Sequence, residues 1–137
     1  PHVITLRTST IGHELKTRYG LLEWFLSLDD NCVGFSRAIF SGLPTVVFAQ
    51  IIRDFVLPRT DLHGLYHVAA KPISKLDLLK TIARVYKRQI DIIPDGNTVI
   101  DRSLDGTQFS KATNFFAPDW EELIYCMYAQ QRNMSNV

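Results

Sequence analysis

The chain reads as a layered α/β protein, and one central stretch carries most of that reading. Leu65 to Ala69 is a short apolar run with a β-branched member, the pattern of a strand buried on both faces. Lys71 and Pro72 interrupt it. Ser74 follows as a helix N-cap, and Asp77 three residues later suits the positive end of the helix dipole. Leu78, Leu79, Ile82, Ala83 and Tyr86 then recur at helical spacing, with Lys75, Lys80, Arg84 and Lys87 on the opposite, solvated side. Strand, tight loop and amphipathic helix make one βα unit.

Size and composition agree with a single domain over residues 1–137, large enough for a real core. The apolar fraction of 46% and charged fraction of 21% are globular values, which argues against disorder. A net charge of +1 excludes a nucleic-acid or anionic-membrane binder that works by bulk charge. Cys32 and Cys126 match no metal spacing and read as two reduced, buried thiols of a cytoplasmic protein. No apolar run approaches membrane-spanning length, and no signal peptide is visible.

Before the central unit, Val3-Ile4-Thr5-Leu6 reads as a strand. A strand so close to the start suggests a piece of a longer protein. Arg7 to Gly12 is a polar turn at its carboxyl end, where open parallel sheets place ligands, although Ser and Thr there also suit a plain loop. Gly20 to Leu28 predicts a short apolar helix, closed by Asp29-Asp30-Asn31. Cys32 to Phe35 and Ala38 to Phe40 predict short strands. Gly42-Leu43-Pro44-Thr45 predicts a helix start with Thr45 able to cap, and Val46 to Val56 a helix buried almost all round.

After the central helix, Ile90 to Pro94 alternates and stops at proline like an edge strand, and Thr98-Val99-Ile100 is another extended run. A Gly- and Thr-containing loop is expected after Asp105. The last helix runs from Glu121 to about Gln130, with Trp120, Leu123, Ile124 and Met127 as its inner stripe, and Arg132 to Val137 reads as a frayed tail.

No self-contained active site is visible. Neither G-x-G-x-x-G nor a Walker motif occurs, no G-x-S-x-G elbow marks a nucleophile, and the four histidines show no metal-ligand spacing.

Leu6 to Gly12, Gly42 to Thr45, Gly64 to Val68, Ser74-Lys75 and Asp101-Arg102-Ser103-Leu104-Asp105 occur together in this order. That series resembles the carboxyl-terminal half of dTDP-4-dehydrorhamnose reductase-like sugar-nucleotide reductases, extended members of the short-chain dehydrogenase superfamily. The likeness runs from about Val3 to Met127. It implies that Val3 to Arg7 and Leu65 to Ala69 are the last strands of a Rossmann-like parallel sheet. The remainder would build the small carboxyl-terminal substrate-binding lobe.

The family's glycine-rich fingerprint and catalytic Tyr-x-x-x-Lys pair would lie upstream. Four residues on from Tyr19, Tyr66, Tyr86, Tyr125 and Tyr128 stand Glu23, Ala70, Ile90, Ala129 and Arg132, so no such pair is present. The chain alone is therefore expected to be inactive, since a nicotinamide hydride transfer would have no acid partner.

By position in the resemblance, Thr8, Ser9, Thr10 and Ile11 approach the nicotinamide end of NADP or NAD, the rest of which the upstream half would bind. Arg102 and Arg37 are candidates for the substrate diphosphate, because a planar guanidinium suits bidentate phosphate contact. Arg102 lies in a matched motif, whereas Arg37 equally fits a solvated surface. His13 and Glu14 are placed to meet the sugar, and ordinary loop roles fit them as well.

The implied partners are a sugar nucleotide and the upstream half of the same protein, with no nucleic acid and no membrane. A homo-oligomer through the exposed sheet edge is a further expectation. The alternatives are a non-catalytic binding or scaffolding module of this fold and an unrelated small α/β domain.

Overall fold

A computed structural model describes residues 3–136. Two strands, β1 (Ile4–Arg7) and β6 (Gly64–His67), run parallel with Ile4 opposite Gly64 and Arg7 opposite His67. These fall in the two stretches expected to be the last strands of a parallel sheet, and here they pair with each other. The chain leaves β1 through β2 (Thr10–Ile11), which lies parallel to β5 (Leu43–Pro44). Between them come α1 (Leu21–Leu26), β3 (Asn31–Phe35) and β4 (Ala38–Phe40).

Helix α2 (Thr45–Ile51) continues as a π-helical turn over Ile52–Val56. After β6 come β7 (Ile73–Ser74) and α3 (Lys75–Val85), then β8 (Asp91–Asp95) and β9 (Ile100–Asp101). Two helices close the fold, α4 (Thr107–Thr113) and α5 (Trp120–Ser135). β3 pairs with β8 in parallel, while β4 sits between antiparallel β7 and parallel β9. The result is a mixed α/β fold of small, mostly parallel sheets.

The central unit forms as its sequence dictates. Ser74 is the N-cap of α3, and its hydroxyl accepts from the Asp77 backbone N–H at 3.0 Å. Leu78, Leu79 and Ile82 are buried and meet Leu123, Ile124 and Met127 of α5 in one core. At that depth each such side chain contributes on the order of 2 kcal/mol of apolar burial. Trp120 joins the core while its indole N–H donates to the Lys71 carbonyl at 2.6 Å, which fixes the loop before β7.

Several sequence expectations are corrected. The strand at Leu65 to Ala69 is not buried on both faces: β6 ends at His67 and Leu65 is 47% exposed. Val68 and Ala70, just beyond the strand end, are buried, and α4 packs against β6. The stretch from Val46 to Val56 buries only Val47, Ile51 and Val56. It packs on α5, β5 and β2, and through Phe55 on Phe115, yet leaves Ala49 exposed, so an apolar sequence does not mean an enclosed helix.

Thr45 does not cap α2. Pro44 holds the cap position, and the Thr45 hydroxyl donates instead to the Ile11 carbonyl at 3.4 Å. The loop expected after Asp105 contains α4, whose start is fixed by Asp105 accepting from the Thr107 N–H at 2.9 Å. The tail expected from Arg132 is helical to Ser135; Val137, within that expectation, lies outside the described residues. Cys32 is buried, but Cys126 is only half-buried. Lys75 is not on the solvated side of α3: it turns back over the Phe40 ring, 4.4 Å from its centroid.

Candidate functional site

Three helix starts and the turn after β1 converge on one cavity of about 230 Å³. Thr10 to Glu14 form one wall, continuing from the carboxyl end of β1. Gly20 to Leu22 close a second side at the start of α1, and Phe40, Thr45 and Lys75 complete the lining. The approach of the walls needs small residues. A Cβ on Gly12 would come within 2.8 Å of the Thr45 hydroxyl, and one on Gly42 would strike the Phe40 ring and the Ser9 carbonyl.

The polar atoms of the first wall are mostly engaged. The His13 ring is held at both nitrogens, with Nδ1 2.9 Å from Glu23 Oε1 and Nε2 2.8 Å from the Tyr86 hydroxyl. The Glu23 carboxylate accepts from Nδ1–H, so Nε2 accepts and Tyr86 donates. Burial pushes the Tyr86 phenol up, and Glu23 and Tyr128 add to it, which keeps the hydroxyl protonated. Glu14 accepts from the Thr17 hydroxyl and from the Gly20 and Tyr19 N–H groups. The Thr17 bond and then the Gly20 bond hold its carboxyl below the usual range. Both residues therefore brace the loop over residues 13–20.

Of the sequence-predicted site residues, Thr10, Ile11, His13 and Glu14 meet at this cavity. Ile11 is buried beneath it. Thr8 donates to the Ser9 carbonyl at 3.2 Å, and that carbonyl also accepts from Leu43 N at 2.8 Å, so the turn is fastened to β5.

Arg102 follows β9 with its N–H on the Ile39 carbonyl at 3.1 Å; it is exposed and does not line the cavity. It sits in an Asx turn in which Asp101 accepts from the Ser103 N–H and hydroxyl at 2.8 and 2.6 Å. Arg37 lies at the other end of β4, near the turn at Gly96, and is not brought to the cavity.

Sequence reasoning missed Lys75, Glu23 and Tyr86. Lys75 had a readable signal: a lysine directly after an N-cap stands at the positive pole of its own helix. Burial lowers the Lys75 pKa, and the nearby Arg102 charge lowers it further.

A wider, open groove of about 670 Å³ between α2 and α5 is mostly apolar in its lining, as at Val46, Ala129 and Met134. No group of three His, Cys, Asp or Glu side chains among the described residues could hold a metal ion. No helix among them is long and apolar enough to cross a membrane.

No family model matches the chain, and no curated protein matches it by sequence. Solved structures do match. The dTDP-4-dehydrorhamnose reductase of Bacillus anthracis str. Ames, solved with NADP, superposes with a TM-score of 0.73 at 17% identity, over 95% of this chain and 49% of that one. The Bordetella bronchiseptica enzyme WbmG, solved with NAD and UDP, gives 0.68 at 17% identity, over 96% and 44%. The UDP-N-acetylglucosamine 4-epimerase of Bacillus cereus gives 0.71 at 13% identity, over 94% and 48%. The chain thus spans about half the length of the structures it matches. What it shares with dTDP-4-dehydrorhamnose reductase and related sugar-nucleotide enzymes is the fold of that half.

Proposed function

We propose that this chain is the carboxyl-terminal substrate-binding part of an NAD(P)-dependent sugar-nucleotide reductase. Its substrate would be a 4-keto sugar nucleotide of the dTDP-4-dehydrorhamnose type, used for cell-surface polysaccharide precursors. The observation that carries this reading is the cavity at the carboxyl end of the β1–β6 parallel pair, the end where such sheets bind ligands. It occurs in a fold that matches half of several sugar-nucleotide enzymes.

The residues present fit one end of a nicotinamide dinucleotide. Thr10 brings a hydroxyl to the cavity wall and Ile11 an apolar backing, while Thr8 and Ser9 lie outside the lining, with the Thr8 hydroxyl on the Ser9 carbonyl. No glycine-rich phosphate cradle accompanies them, so the upstream half would hold the remainder. When bound, the cofactor supplies the hydride. This chain's share is to position the sugar nucleotide: Arg102 holds its diphosphate, while His13 and Glu14 brace the loop that walls the cavity.

Titration calorimetry with a dTDP- or UDP-linked sugar tests the reading. Arg102→Ala should weaken binding by about 1.5–3 kcal/mol, the scale of a charge-assisted hydrogen bond. Unchanged affinity would return Arg102 to a structural role. NADPH oxidation should need the upstream half; turnover by this chain alone would overturn the assignment.

A further inference from the structure

We infer that the outer face of the β3–β8 pair docks a second copy of this chain about a two-fold axis, strand over antiparallel strand. The inference stands apart from the proposed activity. It uses residues that the cavity leaves out, Arg37 among them.

Period-two alternation sends Cys32 and Gly34 of β3 to one face of the pair, and Val33 and Phe35 to the other. The first face packs against α3. Cys32 is buried there, and a Cβ on Gly34 would come within 2.7 Å of Leu76 and 2.8 Å of Ile92, so glycine permits the approach. On the second face Val33 stands opposite Ile93, and the two are 45% and 47% exposed, with Phe35 exposed beside them. A solvated sheet face carries polar residues at such positions; this one is apolar at its centre. β3 and β8 also run parallel, and parallel sheets occur with both faces covered.

Charge indicates what the cover is. The Asp91 N–H donates to the Asp30 carbonyl at 3.0 Å, so two exposed carboxylates stand where the strands begin. Arg88, close by in sequence, is turned to the Leu28 carbonyl at 2.6 Å. At the far end Arg37 is exposed, its Cδ 3.7 Å from where a Cβ on Gly96 would sit. Among the described residues Asp30, Asp91 and Arg37 form no ion pair.

A two-fold axis in the plane of this face, across the strands, turns one copy end for end over the other. Arg37 of each copy then meets Asp30 and Asp91 of its partner, and the contact occurs twice. Val33 and Ile93, the middle residues of their strands, meet their own counterparts at the axis. Stacked sheets lie about 10 Å apart with their strands nearly aligned, a gap that apolar side chains of this size fill. The upstream half of the proposed reductase would instead extend the β1–β6 sheet, which is separate.

Sedimentation velocity and light scattering on the full chain, across a concentration series, test the inference. Wild type should pass from monomer to dimer. Ile93→Lys should weaken the dimer at least about 10-fold, because two like charges would face each other at the axis. Arg37→Asp and Asp91→Arg should each weaken it, and the double reversal should restore most of the loss. Should Ile93→Lys fail to fold, the charge reversals, at exposed positions, read the same face. A wild-type monomer at every concentration overturns the inference. So does a dimer that ignores Ile93→Lys and both reversals, since it runs through another surface such as the β1 edge. Loss in both single reversals without recovery in the double overturns the end-for-end pairing.

Discussion

Removing one hydroxyl from Tyr86 should loosen the loop that walls the cavity. That hydroxyl donates to His13 Nε2 at 2.8 Å, and the opposite nitrogen is held by Glu23 at 2.9 Å. Phe at this position keeps the ring and its edge contact with Tyr128, whose centroid is 5.0 Å away. The loss is therefore one hydrogen bond plus a stranded acceptor. The bond itself is worth about 1 kcal/mol, and a fully buried orphan adds up to about 2 more. His13 and Glu23 side chains are 17% and 20% exposed, so water rescues part of the acceptor. Tyr86→Phe should then cost about 1–2 kcal/mol. With a urea slope of about 1.5 kcal/mol/M, the midpoint should fall by about 1 M. Fluorescence of Trp24 and Trp120 follows the transition. Glu23→Gln acts through the same ring, so the double variant should be non-additive by at least about 0.5 kcal/mol. A midpoint that stays put or rises would show that the His13 bridge contributes nothing to stability.

Ser74→Ala removes the acceptor for the Asp77 N–H and should cost about 1 kcal/mol in urea unfolding; a loss near zero would mean water replaces the cap. Asp61 is held at about 2, chiefly by its bonds from Arg59. Its folded value lies below the ordinary 3.8, so its small contribution is complete above that pH and is lost as pH falls from there through about 2. A carboxyl NMR titration reading near 4 would show the pair absent in solution. Self-association should appear in light scattering, because among the described residues β1 has one sheet neighbour, and Val3 and Leu65 are 73% and 47% exposed. A monomer at every concentration would refute that.

The fold was legible where local chemistry and tertiary packing agree. Ser74 caps α3, and Leu78, Leu79 and Ile82 fall on the face that α5 covers. Legibility failed where apolar content does not say which face has a neighbour. Val46 and Ala49 are as apolar as Val47, yet only Val47 is buried. It failed also where polar helices need little burial. In α4 only Phe109 and Thr113 are buried, one turn apart, and the preceding Gly106 reads as loop. The last turns of α5 are exposed yet helical, so a polar composition does not by itself mean fraying.

The site divides along the same line. That Thr10 to Glu14 border the cavity follows from their place after a strand's carboxyl end, which sequence position suggests. Which of their atoms remain free does not, because the partners are remote: His13 meets Tyr86, 73 residues on. A polar loop side chain can face a ligand or brace its own loop, and a partner from another element decides which. For His13 and Glu14 the partners engage both ring nitrogens and both carboxylate oxygens. Lys75 is the converse. Spacing assigns it to the solvated side of α3, but its long stem folds back across β4 to the Phe40 ring. The feature that marks it is energetic: a half-buried cation at the positive pole of its own helix, where the dipole opposes its charge.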